Sequence, residues 1–274
     1  MAGTLYIVAT PIGNLEDITL RALRILREAS LVACEDTRQS RKLLDRFGVA
    51  KPLLSYHEHN EAEAAAGLIA KLEAGETVAL ISDAGTPLVS DPGYRIVAAA
   101  RRKGIAVVPV PGPSALLAAL SAAGLPTDSF RFGGFLPGRS GQRRKTLERL
   151  KDETATLVFY ETPHRILETL DDIAAVLGER RVVLARELTK VHEEFLEGSP
   201  RSIREELARR PAVKGEITLL IERGGGRKAE DAPLGGEVER HMAAGCSRMD
   251  AIKAVARERG LPKRDVYRAV EERE

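Results

Sequence analysis

Thr77-Val78-Ala79-Leu80-Ile81-Ser82-Asp83-Ala84-Gly85-Thr86-Pro87-Leu88-Val89-Ser90-Asp91-Pro92-Gly93 is the stretch that decides the fold. After Thr77, its next four residues are apolar without alternation, the pattern of a strand buried on both faces. The residues after them are dense in Gly, Pro, Ser and Asp, too elaborate for a plain strand-to-helix connection. Pro92 then suits the first turn of a helix running to about Lys103, with Asp91 as its cap. Asp83, Gly85 and Thr86 have no such structural duty, and a close approach of backbone to ligand is expected there.

The same alternation of strand and helix extends outward. Leu5–Ala9, Leu31–Cys34, Leu53–Tyr56 and Ile105–Val110 are predicted strands. Helices are expected after Asp17, taken as a cap, with the apolar face Ile18, Ala22, Ile25, Leu26 and Ala29, then from about Ser40 to Phe47 and from about Glu61 to Glu73. Residues 1–124 therefore read as an N-terminal α/β domain with a mostly parallel sheet. A break falls at Gly124–Asp128. Phe130–Phe135, Ala155–Tyr160, Arg181–Ala185, Glu194–Leu196 and Glu216–Glu222 are strands of a second α/β domain, residues 125–224, with a helix opening at Pro163. Its short strands with little helix between them predict a mixed sheet. Residues 225–274 are expected to be a Gly-rich linker and a small helical tail, with Ser247 capping one helix and Val266, Tyr267 and Val270 on the next. The outline is helix-turn-helix-like, and it is equally that of an αα-hairpin packed on its own neighbours.

Composition excludes several classes. With 42 Lys and Arg against 40 Asp and Glu among 274 residues, the net charge is +2, so this is no polycation and a polyanionic partner must be met by a local patch. Hydrophobic residues at 43% rule out wholesale disorder. Cys34 and Cys246 support neither a disulfide framework nor a four-thiolate zinc site and suit a reduced, cytoplasmic protein. The opening Met1–Asn14 carries no basic region before its apolar run, against a secretory signal, and the Ala115–Leu125 stretch is too short to span a bilayer.

Ligands of a doubly wound sheet bind outside the carboxyl ends of its strands. The loop Thr10–Asp17 has one glycine where a dinucleotide fingerprint needs three, which excludes that reading. Pro109–Ala115 forms a second rigid rim, with Ser114 as a helix cap. No metal is expected: His57-Glu58-His59 would place two imidazoles on one strand face without a third ligand. Gly138–Lys151 holds six basic residues against one acid, but Arg144 stands where a nucleotide-triphosphate loop needs glycine. A solvated helix face and a phosphate-binding surface both fit. The latter is preferred, with Arg139, Arg143, Arg144 and Lys145 as nucleic-acid phosphate contacts and Arg38 extending them. With no Trp and 4% aromatic residues, a nucleic-acid partner would be held by charge and shape more than by stacking.

The runs Pro11–Thr19 (PIGNLEDIT), Ala33–Ser40 (ACEDTRQS), Ser82–Gly93 (SDAGTPLVSDPG), Pro109–Ala115 (PVPGPSA), Phe159–Ile166 (FYETPHRI) and Ala185–Phe195 (ARELTKVHEEF), in this order, resemble the tetrapyrrole methylase superfamily. Within it they are similar to the branch that methylates a cytidine 2′-oxygen of small-subunit ribosomal RNA. The resemblance covers roughly residues 4–222 and the helical tail. It implies S-adenosylmethionine as methyl donor, held between two α/β domains, and a homodimer. It places Pro11 and Gly13 beside the donor, and Val89, Ser114 and Ala115 along its adenosine and methionine parts. Gly85-Thr86-Pro87 matches the superfamily's Gly-Asp-Pro turn with Thr86 in place of the acid, leaving Asp83 as the nearby charge. Tyr160 and Ala185 are expected to contact the donor from the second domain.

A ribose hydroxyl is a poor nucleophile, so a proton acceptor is expected near it. Asp36, Glu161 and Glu187 are the candidates, with Glu35, His57 and His192 also at strand ends; the residues alone do not rank them. Two alternatives stand beside this reading. One is a C-methyltransferase of precorrin- or uroporphyrinogen-type tetrapyrroles, sharing the donor site. The other is a non-enzymatic nucleic-acid-binding protein acting through the tail, weakened by its twelve basic and ten acidic residues from Arg223 onward.

Overall fold

The computed structural model describes residues 2–224, 234–243, 245–259 and 261–271. They form two compact units, Met1–Arg223 and Gly224–Glu274.

The first unit opens with a five-stranded, wholly parallel sheet. Its strands are β1 (Thr4–Val8), β2 (Leu31–Cys34), β3 (Leu53–Ser55), β4 (Val78–Ile81) and β5 (Ala106–Val110), in the order β3-β2-β4-β1-β5. Helices α1 (Leu20–Glu28), α2 (Thr37–Arg46), α3 (Glu61–Glu73) and α4 (Tyr94–Arg102) connect them, and α5 (Ala115–Ala122) follows β5. The unalternating apolar composition of β4 is explained by its two covered faces. Val78 and Leu80 pack with Leu68, Leu72, Ile96 and Ala100 of α3 and α4, whereas Ala79 and Ile81 pack with Ala22, Ile25, Leu26 and Leu44 of α1 and α2. β4 is inserted between β2 and β1, so the loops leaving β1 and β4 depart in opposite directions. That is a switch point, where a crevice opens at the carboxyl ends of the strands.

Two helix starts differ from expectation. α1 is capped by Thr19, whose hydroxyl accepts from the Ala22 N–H, and Asp17 instead ends a separate 3-10 turn, Leu15–Asp17. α4 begins after Gly93, whose φ of 143° and tight packing against Leu88 and Leu80 favour glycine, so Asp91 is not its cap. α2 starts earlier than its apolar spacing predicts because the Asp36 carboxylate caps it, accepting from the Arg38 N–H at 2.8 Å. His57 and His59 lie in the turn beyond β3 rather than on a strand face.

The second sheet contains β6 (Phe130–Phe135), β7 (Thr156–Glu161), β8 (Val182–Arg186), β9 (Glu194–Gly198) and β10 (Ile217–Ile221), ordered β6-β7-β10-β8-β9. Only β6 and β7 pair in parallel; β10 runs antiparallel to both neighbours, as does β8 to β9. Helices α6 (Ser140–Arg149), α7 (Ile166–Leu177) and α8 (Pro200–Ala208) cover one face through Leu147, Leu170, Ile173 and Ile203. α7 starts three residues after Pro163. The other face is covered from the first half of the unit: Ala119, Leu120 and Ala123 of the α5 region pack on Val158, Val183, Ala185 and Leu220. This shared core joins the two sheets.

One arginine is built into the helical layer. Arg143 on α6 is fully buried, its Nε 2.7 Å from an Asp172 carboxylate oxygen on α7, and its Nη1 donates to the carbonyls of Pro137 and Gly138. The expectation that Arg143 meets RNA is therefore corrected. Its charge is committed inside the molecule, because its place on α6 faces α7 and not solvent.

The second unit is described by itself. Helices α9 (Leu234–Ala243), α10 (Arg248–Glu258) and α11 (Lys263–Glu271) pack through Val238, Ala251, Ile252, Val255, Ala256 and Val266. Ser247 caps α10 as expected, accepting from the Asp250 N–H. Three helices are present where the spacing predicted two, since α9 begins in a Gly-rich stretch that hides its period. The linker proposed for Gly224–Lys228 lies, after Gly224, outside the described residues.

Candidate active site

Four loops meet at the carboxyl end of the first sheet. The loop after β4 is the hub. Its Gly85 exchanges both backbone hydrogen bonds with Thr10 beyond β1, at 2.9 and 3.0 Å. The Asp83 carboxylate accepts from the Asp36 N–H beyond β2 at 3.2 Å, and the Thr86 hydroxyl donates to the Pro113 carbonyl beyond β5 at 3.1 Å. A fifth segment arrives from the second sheet: the Asn14 N–H donates to the Thr189 hydroxyl at 3.1 Å. Together they frame a cavity of about 640 Å³ between the two sheets. That volume falls within the roughly 300–1,000 Å³ of small-molecule sites.

Backbone strain is concentrated here. Among the described residues, the non-glycine residues with positive φ are Leu88, Ser90, Glu187 and Thr189. Each costs on the order of 1–2 kcal/mol and persists only where its surroundings over-determine it. All four belong to the two loops that face one another across the cavity.

The walls differ in character. Ile12, Val89, Ala115, Leu188 and Ile217 supply apolar surface. Tyr160 and Phe135 enter from β7 and β6, with rings 5.7 Å apart and edge-on, and Phe132 completes the cluster 4.9 Å from Tyr160. On the first-sheet side stand the carboxyls of Asp83 and Asp91. Burial raises Asp83, aided by the charge of Asp36. Burial, with the charges of Glu35 and Asp83, pushes Asp91 up to about 6. Among the described residues the cation in the cavity lining is Lys190, paired with Glu187 and Glu216, and Asp83 and Asp91 have no ion-pair partner. Burial also raises Tyr160, which feels the Asp91 charge from the far wall.

The residues expected at the donor divide into two groups. Asp83, Gly85, Thr86, Val89, Ser114, Ala115 and Tyr160 all line the cavity. Ser114 also caps α5, its hydroxyl accepting from the Leu117 N–H. Pro11, Gly13 and Ala185 do not line it. Pro11 is buried beneath the first loop, Gly13 packs against the Lys190 side chain, and Ala185 is in the core under α5. Ala185 alternates with Leu184 along β8, so its side chain turns towards α5.

Each proposed base is committed elsewhere. Asp36 is held at about 2 by the Arg38 guanidinium and by its capping bond. Glu161 is buried, accepting from Arg165 at 2.8 Å, the Thr162 N–H at 2.7 Å and the Thr169 hydroxyl at 2.9 Å. Glu187 accepts from Lys190 at 2.8 Å and from the Glu216 N–H at 3.0 Å, and the Lys190 ammonium holds it below the usual carboxylate range. The structure thus gives all three carboxyls a local partner, where a free proton acceptor was expected. Of the basic residues, Arg139 and Lys145 are exposed on α6 and its approach, Arg144 reaches Asp172 while half-exposed, and Arg38 is exposed but paired with Asp36.

Sequence reasoning missed Asp91, Lys190, Phe135 and Glu216 in the walls. Asp91 lay inside the decisive loop, but its proximity to Pro92 offered a simpler structural duty. Lys190 and Glu216 had no local signal, since their pairing at 2.8 Å joins segments 26 residues apart.

The sequence profile of the Tetrapyrrole (Corrin/Porphyrin) Methylases matches residues 4–203. The chain belongs to this family. It is 52% identical over 97% of its length to a Halalkalibacterium halodurans protein named Ribosomal RNA small subunit methyltransferase I, covering 93% of that protein. Its fold is similar to the crystal structure of uroporphyrin-III-C-methyltransferase from Thermus thermophilus, with a TM-score of 0.56, 26% identity, and coverage of 81% and 94% of the two chains. Another Thermus thermophilus structure of that enzyme, complexed with S-adenyl homocysteine, matches at a TM-score of 0.54 and 21% identity over 81% and 98% of the chains.

Proposed function

We propose that this chain is a methyltransferase that uses S-adenosylmethionine to methylate the 2′-oxygen of a cytidine in small-subunit ribosomal RNA. The observation that carries it is the near full-length identity of 52% to a protein of that rRNA methyltransferase name, joined to a strained cavity lined by several carboxyls. The tetrapyrrole alternative rests on structures at 26% identity or less. The non-enzymatic alternative leaves the cavity unexplained.

The residues fit the donor. Apolar Ile12, Val89, Ala115 and Leu188 suit the adenosine, and the carboxyl of Asp83 suits a positive charge of the donor. When bound, the donor supplies an already activated methyl group, so the protein's task is alignment in a water-poor cleft. The hydrogen bonds from Gly85 to Thr10 and from Thr86 to Pro113 hold the loops that would set that alignment. Phe135 and Tyr160 narrow the opposite wall.

RNA would approach where β6 leaves the cavity. Arg139 follows Phe135 by four positions, and Lys145 lies further along α6. Replacing both by Ala is expected to flatten the slope of log affinity against log salt by about 1.4–1.8, the contribution of two phosphate contacts. An unchanged slope in filter binding would remove α6 from the RNA surface.

Self-association as a homodimer agrees with large apolar side chains left in water, notably Leu20 at 87% and Val191 at 96% exposure. Sedimentation at micromolar concentration is expected to give twice the chain mass, and a monomer would refute it. A reducing, cytoplasmic location follows from a ribosomal substrate and a buried free thiol at Cys34; among the described residues no helix is long and apolar enough to cross a membrane.

The deciding experiment supplies purified small subunits from a strain lacking this protein with labelled S-adenosylmethionine. Label in one cytidine ribose is expected. Transfer to a precorrin and none to the ribosome would overturn the reading.

A further inference from the structure

We propose that Asp91 is the catalytic base, its carboxylate taking the proton from the attacking ribose hydroxyl across the cavity. The inference rests on the methyl-transfer reading above.

The geometry reaches Asp91 by what surrounds each carboxyl in the cavity wall. Glu161 is neutralised by Arg165, and Glu187 and Glu216 share Lys190. Asp83 accepts a main-chain N–H from Asp36. Asp91, in the same wall, has no ion-pair partner among the described residues: the charged groups acting on it, Glu35 and Asp83, are both acidic, and Lys190 across the cavity is taken up by Glu187 and Glu216. From the opposite wall the group facing Asp91 is the Tyr160 phenol. A carboxylate tied to a cation is a weak base; one set among other acids is a stronger one.

The loop is built to present this side chain. Ser90, with φ of 65°, and Leu88, with φ of 72°, turn the chain in the left-handed region immediately before it. Gly93 takes over the helix start, which frees Asp91 from capping. Residues on this loop are also anchored to three neighbouring loops through Asp83, Gly85 and Thr86, so the carboxyl is fixed relative to the donor site.

In the step itself the ribose O–H bond breaks and its proton passes to Asp91. The oxygen lone pair forms the new bond to the methyl carbon while the carbon–sulfur bond of the sulfonium breaks, its electron pair staying on sulfur. The products are a 2′-methyl ether, a neutral thioether and a protonated Asp91, which returns its proton to water. A base with a pKa near the working pH is the most effective, because it is both ionised and able to hold the proton.

The test compares wild type, Asp91→Asn and Asp91→Glu in single-turnover methylation of small subunits with saturating donor. Wild type is expected to lose rate below about pH 6, where the carboxyl is protonated. Asp91→Asn should lower the plateau by about 10²–10⁴-fold and abolish that limb, with Asp91→Glu recovering part of the rate. Donor affinity by calorimetry should be unchanged in Asp91→Asn. Independently of activity, the carboxyl carbon of Asp91 in labelled wild-type protein should titrate near 6 by NMR. An undiminished Asp91→Asn rate, a carboxyl titrating in the ordinary range, or a defect confined to donor affinity would each overturn the proposal. Failure of wild type to methylate the subunit would instead refute the underlying function, so the two failures are distinct.

Discussion

Asp172→Ala is expected to destabilise the protein by about 3–5 kcal/mol, seen as a lower urea midpoint with little change in slope. Without Asp172, the fully buried Arg143 guanidinium keeps only two carbonyls, at 3.3 and 3.4 Å, and a Glu168 carboxylate 3.6 Å away that is itself mostly exposed. An uncompensated charge is then left in the layer between α6 and α7. The loss should include the bonds that Asp172 accepts from Ser140 and Arg144, which converge on one of its oxygens. The paired replacement Arg143→Met with Asp172→Leu should restore much of the stability, because it removes both charges and refills the space. Equal midpoints for Asp172→Ala and wild type would show that the pair is structurally idle. The test also separates two views of Arg143: a phosphate contact would alter RNA affinity at constant stability, whereas the buried pair predicts the reverse order of effects.

Gly85→Val is expected to weaken S-adenosylmethionine binding at least tenfold by calorimetry, about 1.4 kcal/mol or more. Gly85 has φ of 86°, a conformation that costs an L-residue about 1–2 kcal/mol. A Cβ there would stand 3.3 Å from the Ile12 Cγ2, and the branched methyls of valine would crowd it further. Relief requires the loop to retreat from Thr10, breaking one or both bonds that join β1 and β4 loops at the cavity floor. Since the same loop carries Asp83, Thr86, Val89 and Asp91, the loss should appear in donor affinity and methylation together. Wild-type affinity in Gly85→Val would show that this junction does not shape the donor site.

The legible part of the fold followed from short-range physics. Unalternating apolar runs such as Val78–Ile81 mark strands covered on both faces, and Ser114 and Ser247 were readable as caps because a cap is closed within three residues. Competing local duties produced the errors. Asp17 and Asp91 each preceded an expected helix, but Thr19 and Gly93 lay nearer the true starts. The site was legible as loops: those after β1, β4 and β5 do gather around one cavity. Individual roles were less legible, since Glu161 and Glu187 sit at suitable strand ends yet are neutralised by Arg165 and Lys190.

From its sequence alone this protein's two-sheet α/β character, its family likeness and the loop that holds its chemistry were determined, because hydrophobic period, turn residues and motif order are properties of consecutive residues. Which charges are spent and which remain free was decided only in three dimensions. Arg143 meets Asp172 from 29 positions away, and Asp91 gains its character from burial and from the charge of Glu35 beyond β2. Burial and electrostatic pairing depend on what the folded chain brings together, and no local pattern carries that information.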